Sequence, residues 1–381
     1  MSKRFLFTIL TLVIIVAASG LAIFLAKGYT FSPKEKRIVG TGIITIKSSP
    51  DAASVFIDGH LTTATNATIP GLSPKTYQVR VVKEGFIPWE RSVEVKEGLV
   101  SDLKLILFPA QPTIYPLTFS GVKNPILSPD GEKLAYVVPL SSTQAIGNKK
   151  AGVWVWTMVS DRPIAFARSS EPHQIAQSLS IDYTNAFLDF SPDSKQIMAK
   201  VGSNHYILDE NRLNQDPRDI TPVLTSTLKS WADDKNAQNQ ARVLNIKDFA
   251  AKHLASNSAV LKWAPDETKF IYRKNALTDK EKEGEVLISN FKVYDLEDNK
   301  QYDVPSAKLH FWLPDSRHIV LVESDQVSII DFDSSNKAVL FAGKFDDNYV
   351  YVWPDSSRLI LVSSFPTPTA SSPNLYGINL K

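Results

Sequence analysis

FWLPDSRHIVLV, residues 311–322, packs an aromatic residue, a Pro-Asp turn and an apolar run into one short phrase. The phrase returns along the second half of the chain as ILSPDGEKLAYV (126–137), DFSPDSKQIMAK (189–200), KWAPDETKFIYR (262–273) and, one residue shorter, YVWPDSSRLILV (351–362). An apolar or aromatic residue precedes each turn: Leu127, Phe190, Trp263, Trp312 and Trp353. An apolar residue stands four past each Asp: Leu134, Ile197, Phe270, Ile319 and Leu359. Proline fixes φ for a turn, and the Asp side chain bonds backbone amides ahead of it. A strand buried on both faces then accounts for IVLV and LILV.

The prolines at 129, 192, 265, 314 and 354 lie 63, 73, 49 and 40 residues apart. Four short strands need about 40–45 residues, the period of a propeller blade, so the longer gaps imply insertions. The stretches KLHFW, HIVLVE, QVSIIDF and AVLFAGK (308–344) read as one complete blade. The last repeat lacks an outer strand, while PTIYPLTF (112–119) stands without a partner. Pairing the two closes the ring and removes an open edge. Residues 225–258 lack strand alternation, and apolar positions 246, 249, 250 and 254 have amphipathic-helix spacing. This segment reads as a helical insertion, with a degenerate sixth blade as the alternative.

The repeat resembles the TolB-type, or PD-type, propeller repeat, whose signature is aromatic-Ser-Pro-Asp-Gly followed by an apolar strand. Only Ser128-Pro129-Asp130-Gly131 keeps all four signature letters. The resemblance implies a β-propeller of about five blades over 112–381. It leaves function open, because propellers host many activities.

The first part of the chain has another grammar. Phe5–Ala26 is an uncharged apolar stretch spanning about 33 Å as a helix, enough for a hydrocarbon core. It is longer than a signal-peptide core, and no small-x-small site comes after it. Residues 1–27 therefore read as a cytoplasmic head and transmembrane anchor, and 28–39 as a polar juxtamembrane stalk. Basic residues flank both sides of the span, so their count does not set the topology. The short head favours an N-in anchor, which places the bulk of the chain outside the cytoplasm.

Residues 40–109 are rich in short strands broken by turn chemistry at Ser49-Pro50-Asp51, Asp58-Gly59, Pro70-Gly71 and Glu84-Gly85. YQVRV and RSVEV alternate as half-buried strands do, which suggests a small β-sandwich. SSPDAASVFIDG (48–59), IPGLSPKTYQVRV (69–81) and KEGFIPWERSVEV (83–95) resemble the PEGA domain of prokaryotic surface proteins. This chain has Lys75 where Gly is common and Phe86 where Tyr is common. The resemblance implies a non-catalytic spacer or binding module outside the membrane.

Few residues point to chemistry. The chain has no cysteine, which excludes disulfides, thiolate metal sites and a cysteine nucleophile. A net charge of +2 over 381 residues gives no reason to expect nucleic acid. His60, His173, His205, His253, His310 and His318 make no zinc-binding pair. Gly-x-Ser-x-Gly, P-loop and dinucleotide fingerprints are absent. The turn aspartates read as turn stabilisers rather than ligands, and Trp263, Trp312 and Trp353 as packing between blades. Trp154 and Trp156 share one strand face and read as packing, with a sugar platform as the rival. DKEKEGE (279–285) reads as a solvated hairpin tip.

The expectation is a mainly β, single-pass cell-membrane protein, not an enzyme, without cofactor or metal. It presents a propeller to an envelope protein or glycan. The sequence names no binding residues. The rival classes are an envelope polysaccharide-acting enzyme and a membrane-associated assembly or signalling factor.

Overall fold

The computed structural model describes residues 3–26, 29–32, 37–140, 150–158, 171–274, 291–365 and 372–381. The DKEKEGE stretch lies outside the described residues. The chain divides into two compact units, the second running Pro112–Leu380.

The first unit opens with α1 (Lys3–Ala26), a 24-residue helix. Every described side chain on it is exposed, including the unbroken run 9–20, so none of its faces has a core to pack on. The sequence expects a membrane span here; among the described residues no helix is long and apolar enough to cross a membrane. Within the segment read as a polar stalk, Tyr29–Ser32 pairs antiparallel with Arg37–Gly40.

Two sheets come next in the chain. One orders Ala67–Leu72, Gly42–Ser49 and Val100–Ile106, the last two parallel. The other orders His60–Ala64, Ser54–Ile57, Lys75–Val82 and Trp89–Val95, all antiparallel. Alternation in KTYQVRVV turns Tyr77, Val79 and Val81 inward onto Ile44, Ile46, Val55 and Trp89. The tip Asp58-Gly59 has both residues at positive φ, the geometry of a two-residue hairpin turn. Lys75, at the position where glycine is usual, bonds Asp58 Oδ2 at 2.7 Å, and Asp58 Oδ1 accepts the Gln78 amide at 2.9 Å.

The second unit is a succession of four-stranded antiparallel sheets, five among the described residues. Their inner strands are Lys123–Leu127, Phe187–Phe190, Ser258–Trp263, Leu309–Trp312 and Asp346–Val352, and each reverses through a Pro-Asp turn. The fifth sheet takes its outer strand from the start of the unit. Ile114–Pro116 pairs with Asn374–Asn379 in the register Ile114↔Ile378. This is the pairing that the two unpartnered segments require. It is clasped by a buried polar cluster: Thr118 Oγ1 donates to Asn374 Oδ1 at 3.1 Å and accepts the Leu375 amide at 3.0 Å. The Gly121 amide reaches the same Asn374 oxygen.

Apolar clusters join the sheets face to face. One runs between the first and second sheets, another between the third and fourth, and a third between the fifth and first. Between the second and third sheets stand helices instead: α2 (Leu224–Leu244) and α3 (Phe249–Ser256). Leu224 and Trp231 of α2 cover Met198 and Ile207 of the second sheet. Ala251 and Ala255 of α3 cover Phe270, Tyr272 and Tyr294 of the third. The insertion is therefore helical, without the strands of a sixth blade.

The expected helix face is corrected. Ala251, Ala255 and Ile246 turn inward, whereas Phe249 and Ala250 are exposed. Helix α2 gives no periodic signal because its sequence is polar on all sides.

Closure gives a direct test. Deleting 112–119 exposes the edge of Asn374–Asn379 and should yield an aggregating chain, whereas replacing 230–255 by a short Gly/Ser bridge should be milder. Thr118→Val should cost about 1–3 kcal/mol, the penalty for stranding buried polar partners. Soluble fraction and denaturant midpoint measure all three; a 112–119 deletion that unfolds like the parent would contradict the closure.

Candidate functional site

The five turn aspartates are the natural place to look for acidic chemistry, and each is spent locally. Asp130, Asp193, Asp266, Asp315 and Asp355 accept the amide two residues ahead through Oδ1, at 3.0, 3.2, 3.0, 2.9 and 2.8 Å. The residue after each Asp sits at positive φ: Gly131, Ser194, Glu267, Ser316 and Ser356. Two of these serines also tie neighbouring sheets. Ser194 Oγ accepts the Asp130 amide at 3.2 Å, and Ser316 Oγ accepts the Asp266 amide at 3.0 Å.

The tryptophans divide. Trp312 packs in the cluster between the third and fourth sheets and donates to Lys262 O at 3.0 Å. Trp263 packs on Phe270 beneath α3, with its Nε1 buried and unpaired. Trp353 lies between the fifth and first sheets, edge-on to Trp156 with ring centres 5.4 Å apart. Its alignment with Trp312 is corrected by strand register. Val352 pairs with Leu359 as Trp312 pairs with Ile319, so Trp353 occupies the first turn position.

One turn carries more than a turn. His318 opens the second strand of the fourth sheet and is buried between two carboxylates. Its Nδ1 lies 2.6 Å from Asp315 Oδ2 and its Nε2 3.2 Å from Asp331 Oδ1. Burial alone would lower the imidazole pKa; the bonds to Asp315 and Asp331 outweigh it and raise the pKa to about 9. Asp315 is pushed up by burial and pulled further down by His318 and two amides, so it stays below the usual carboxylate range. Both ring nitrogens are occupied, which makes the triad a structural ion cluster. The other described histidines are dispersed. His310 Nε2 bonds Pro305 O at 2.9 Å, and His173 Nε2 bonds Glu210 O at 2.9 Å. Among the described residues no group of three His, Asp or Glu is arranged to hold a metal ion.

A second acidic repeat went unread in the sequence. ILDENR (207–212), VYDLED (293–298) and IIDFDS (329–334) place Asp209, Asp295 and Asp331 opposite Gln196, Lys269 and His318 across the middle strands. Two apolar residues followed by Asp at the end of a strand were the available signal. Lys133 reaches from the first sheet to Glu210 of the second, 3.0 Å from Oε1, while Glu210 Oε2 is buried without a partner.

Clefts among the described residues flank these elements. One, of about 490 Å³, lies between the Asp193 turn and α2, with Trp231, Asp234 and Gln238 on the helix side. The other, of about 330 Å³, is lined by Phe119, Tyr136, Trp154, Thr118, Lys150 and Glu171. Trp154 is held by its Nε1 bond to Lys150 O at 2.7 Å. Trp154 and Trp156 both pack against the cluster between the fifth and first sheets, and Trp154 also borders the cleft.

With this geometry in place, the first unit has a match. Residues 41–111 match the PEGA domain family. No curated protein matches the chain. Among solved structures, TolB from Acinetobacter baumannii is 13% identical with a TM-score of 0.24, covering 80% of this chain. The chain spans only 60% of that TolB. An oligogalacturonate lyase in complex with manganese is 12% identical, with a TM-score of 0.24 and coverage of 80% of this chain and 74% of the lyase. The β-propeller domain of the Trilobed protease from Pyrococcus furiosus is 14% identical, with a TM-score of 0.23 and coverage of 70% and 72%. Scores of this size leave the chain's own strand pairing to carry the fold.

The His318 triad sets a pH test. A folded-state pKa near 9 against an ordinary 6.5 means that its contribution is complete below about pH 6.5 and is lost as pH rises through about 9. Asp315→Ala should cost about 3–5 kcal/mol, because it strands a buried charge, against about 0.5–2 for Asp193→Ala. Denaturant midpoints from pH 6 to 9.5 should fall for the parent and for Asp193→Ala, and stay flatter for His318→Gln. Equal costs for the two alanine variants would reduce Asp315 to a turn residue.

Proposed function

We propose that the chain is a membrane-anchored, extracytoplasmic binding protein in which a PEGA domain precedes a five-bladed propeller. The observation that carries this reading is α1. It is uncharged from Phe5 onward, and its described side chains are exposed on every side, with Phe7 71% and Val16 64% accessible. A helix apolar all round needs an apolar surrounding. Its 24 residues extend about 36 Å along the helix axis. The match of 41–111 to a domain family of surface proteins supports an outside address for the residues beyond the helix.

A binding role is favoured over catalysis by what the acidic groups are doing. Turn aspartates satisfy amides, and His318 is enclosed by Asp315 and Asp331. The cleft beside Trp154 combines aromatic rings with the side chains of Lys150 and Glu171. That mixture suits an envelope glycan or a peptide with an apolar side chain.

Protease added to intact spheroplasts should remove the propeller and leave a small anchored fragment. Protection until lysis would place the unit inside and overturn the reading. For the cleft, Trp154→Ala should lower capture of envelope ligand by the full chain at least tenfold with the unfolding midpoint nearly unchanged. Undiminished capture would move the binding surface elsewhere.

A further inference from the structure

The corner between α2 and α3 presents a feature that the fold does not use. Phe249 is 82% exposed and Leu244 70% exposed, on either side of the turn that joins the helices. The corner beneath them is firmly built. Ile246 is buried, and the Asn245 amide bonds Ala241 O and Arg242 O. Asp248 Oδ1 caps the Ala251 amide at 2.7 Å. Arg242 ties the corner to Glu267 of the third Pro-Asp turn at 2.9 Å, and Lys252 Nζ donates to Leu244 O at 2.8 Å. Two large apolar side chains are thus held out into solvent by a rigid support.

Charge decides what would meet them. The corner's carboxylates are engaged, Glu267 by Arg242 and Asp248 by the Ala251 amide. Lys247, exposed between Leu244 and Phe249, has no hydrogen bond or ion pair among the described residues. A protein interface would bury a broader patch, about 800 Å² per partner, and would keep lysine out of its centre. Protruding Leu and Phe flanking lysine match the boundary of a bilayer, where apolar side chains enter the acyl region and cations meet phosphates.

We propose that this corner docks on an anionic lipid surface, with Phe249 and Leu244 inserted and Lys247 on the headgroup phosphates. This rests on the anchored reading above, in which the same chain is attached to a bilayer.

The chain has no cysteine, so Phe249→Cys carries a single polarity-sensitive dye on the full-length protein. With anionic vesicles the dye should shift to the blue and be quenched by spin-labelled lipid, and it should return towards its aqueous spectrum in high salt. Lys247→Glu in the same background should lower the docked fraction about fivefold or more. A dye at Phe187→Cys, exposed on the second sheet, should not respond. Aqueous emission with anionic vesicles, or a blue shift indifferent to salt and to Lys247→Glu, overturns the proposal. So does a shift that grows with protein concentration in detergent without lipid, which would indicate a second copy. Vesicle flotation of the same samples reads the anchor separately. A chain that floats with an aqueous dye overturns the docking alone. One that fails to float overturns the anchor, and the dye, needing only added vesicles, still decides the corner.

Discussion

An aspartate oxygen held on the amide two residues ahead fixes the point at which each inner strand of the second unit turns back. That bond sets the register of the next strand. Leu134, Ile197, Phe270, Ile319 and Leu359, four past the Asp in each copy, are all completely buried. A slip of one residue would turn every one of them to the opposite face. The clusters between sheets consist of the side chains that this register delivers. The turn also explains a drift from glycine. Serine at positive φ is strained, yet Ser194 and Ser316 use that conformation to accept an amide from the preceding sheet's turn. Local strain is offset by a bond between neighbours, which glycine cannot make.

The helical pair interrupts this regularity between the second and third sheets. Each helix covers the sheet face nearest to it, so the apolar surfaces of Met198 and Phe270 are buried without meeting each other. The pair fills the place of a sheet while obeying none of the sheet rules. It also brings surfaces that the repeat lacks, namely the 490 Å³ cleft along α2 and the exposed corner at Leu244 and Phe249. Insertions into a repeated scaffold are free to carry function because the scaffold's register does not depend on them.

Much of the turn chemistry was legible because its partners are close in sequence. An Asp and the amide it accepts are two residues apart, and proline between two apolar runs marks the reversal. The His318 triad was not legible. Asp331 lies 13 residues beyond the histidine and reaches it only because His318↔Asp331 is a cross-strand pair. Phe249 misled for a related reason. Its spacing fits an amphipathic face, but two alanines could approach the tight space over Phe270, and the larger side chain was turned out.

By itself the sequence determined the apolar start, the alternating strands of the first unit and the five reversals of the second, because these depend on periodicity and on bonds spanning a few residues. Tertiary structure alone decided how the sheets of the second unit meet. Thr118 bonds Asn374 across 256 residues, Trp353 leaves the strand position its letters suggest, and polar α2 is held by a sheet face it does not resemble. Such choices depend on which surfaces remain unburied once the local pieces have formed, and no window of sequence contains that information.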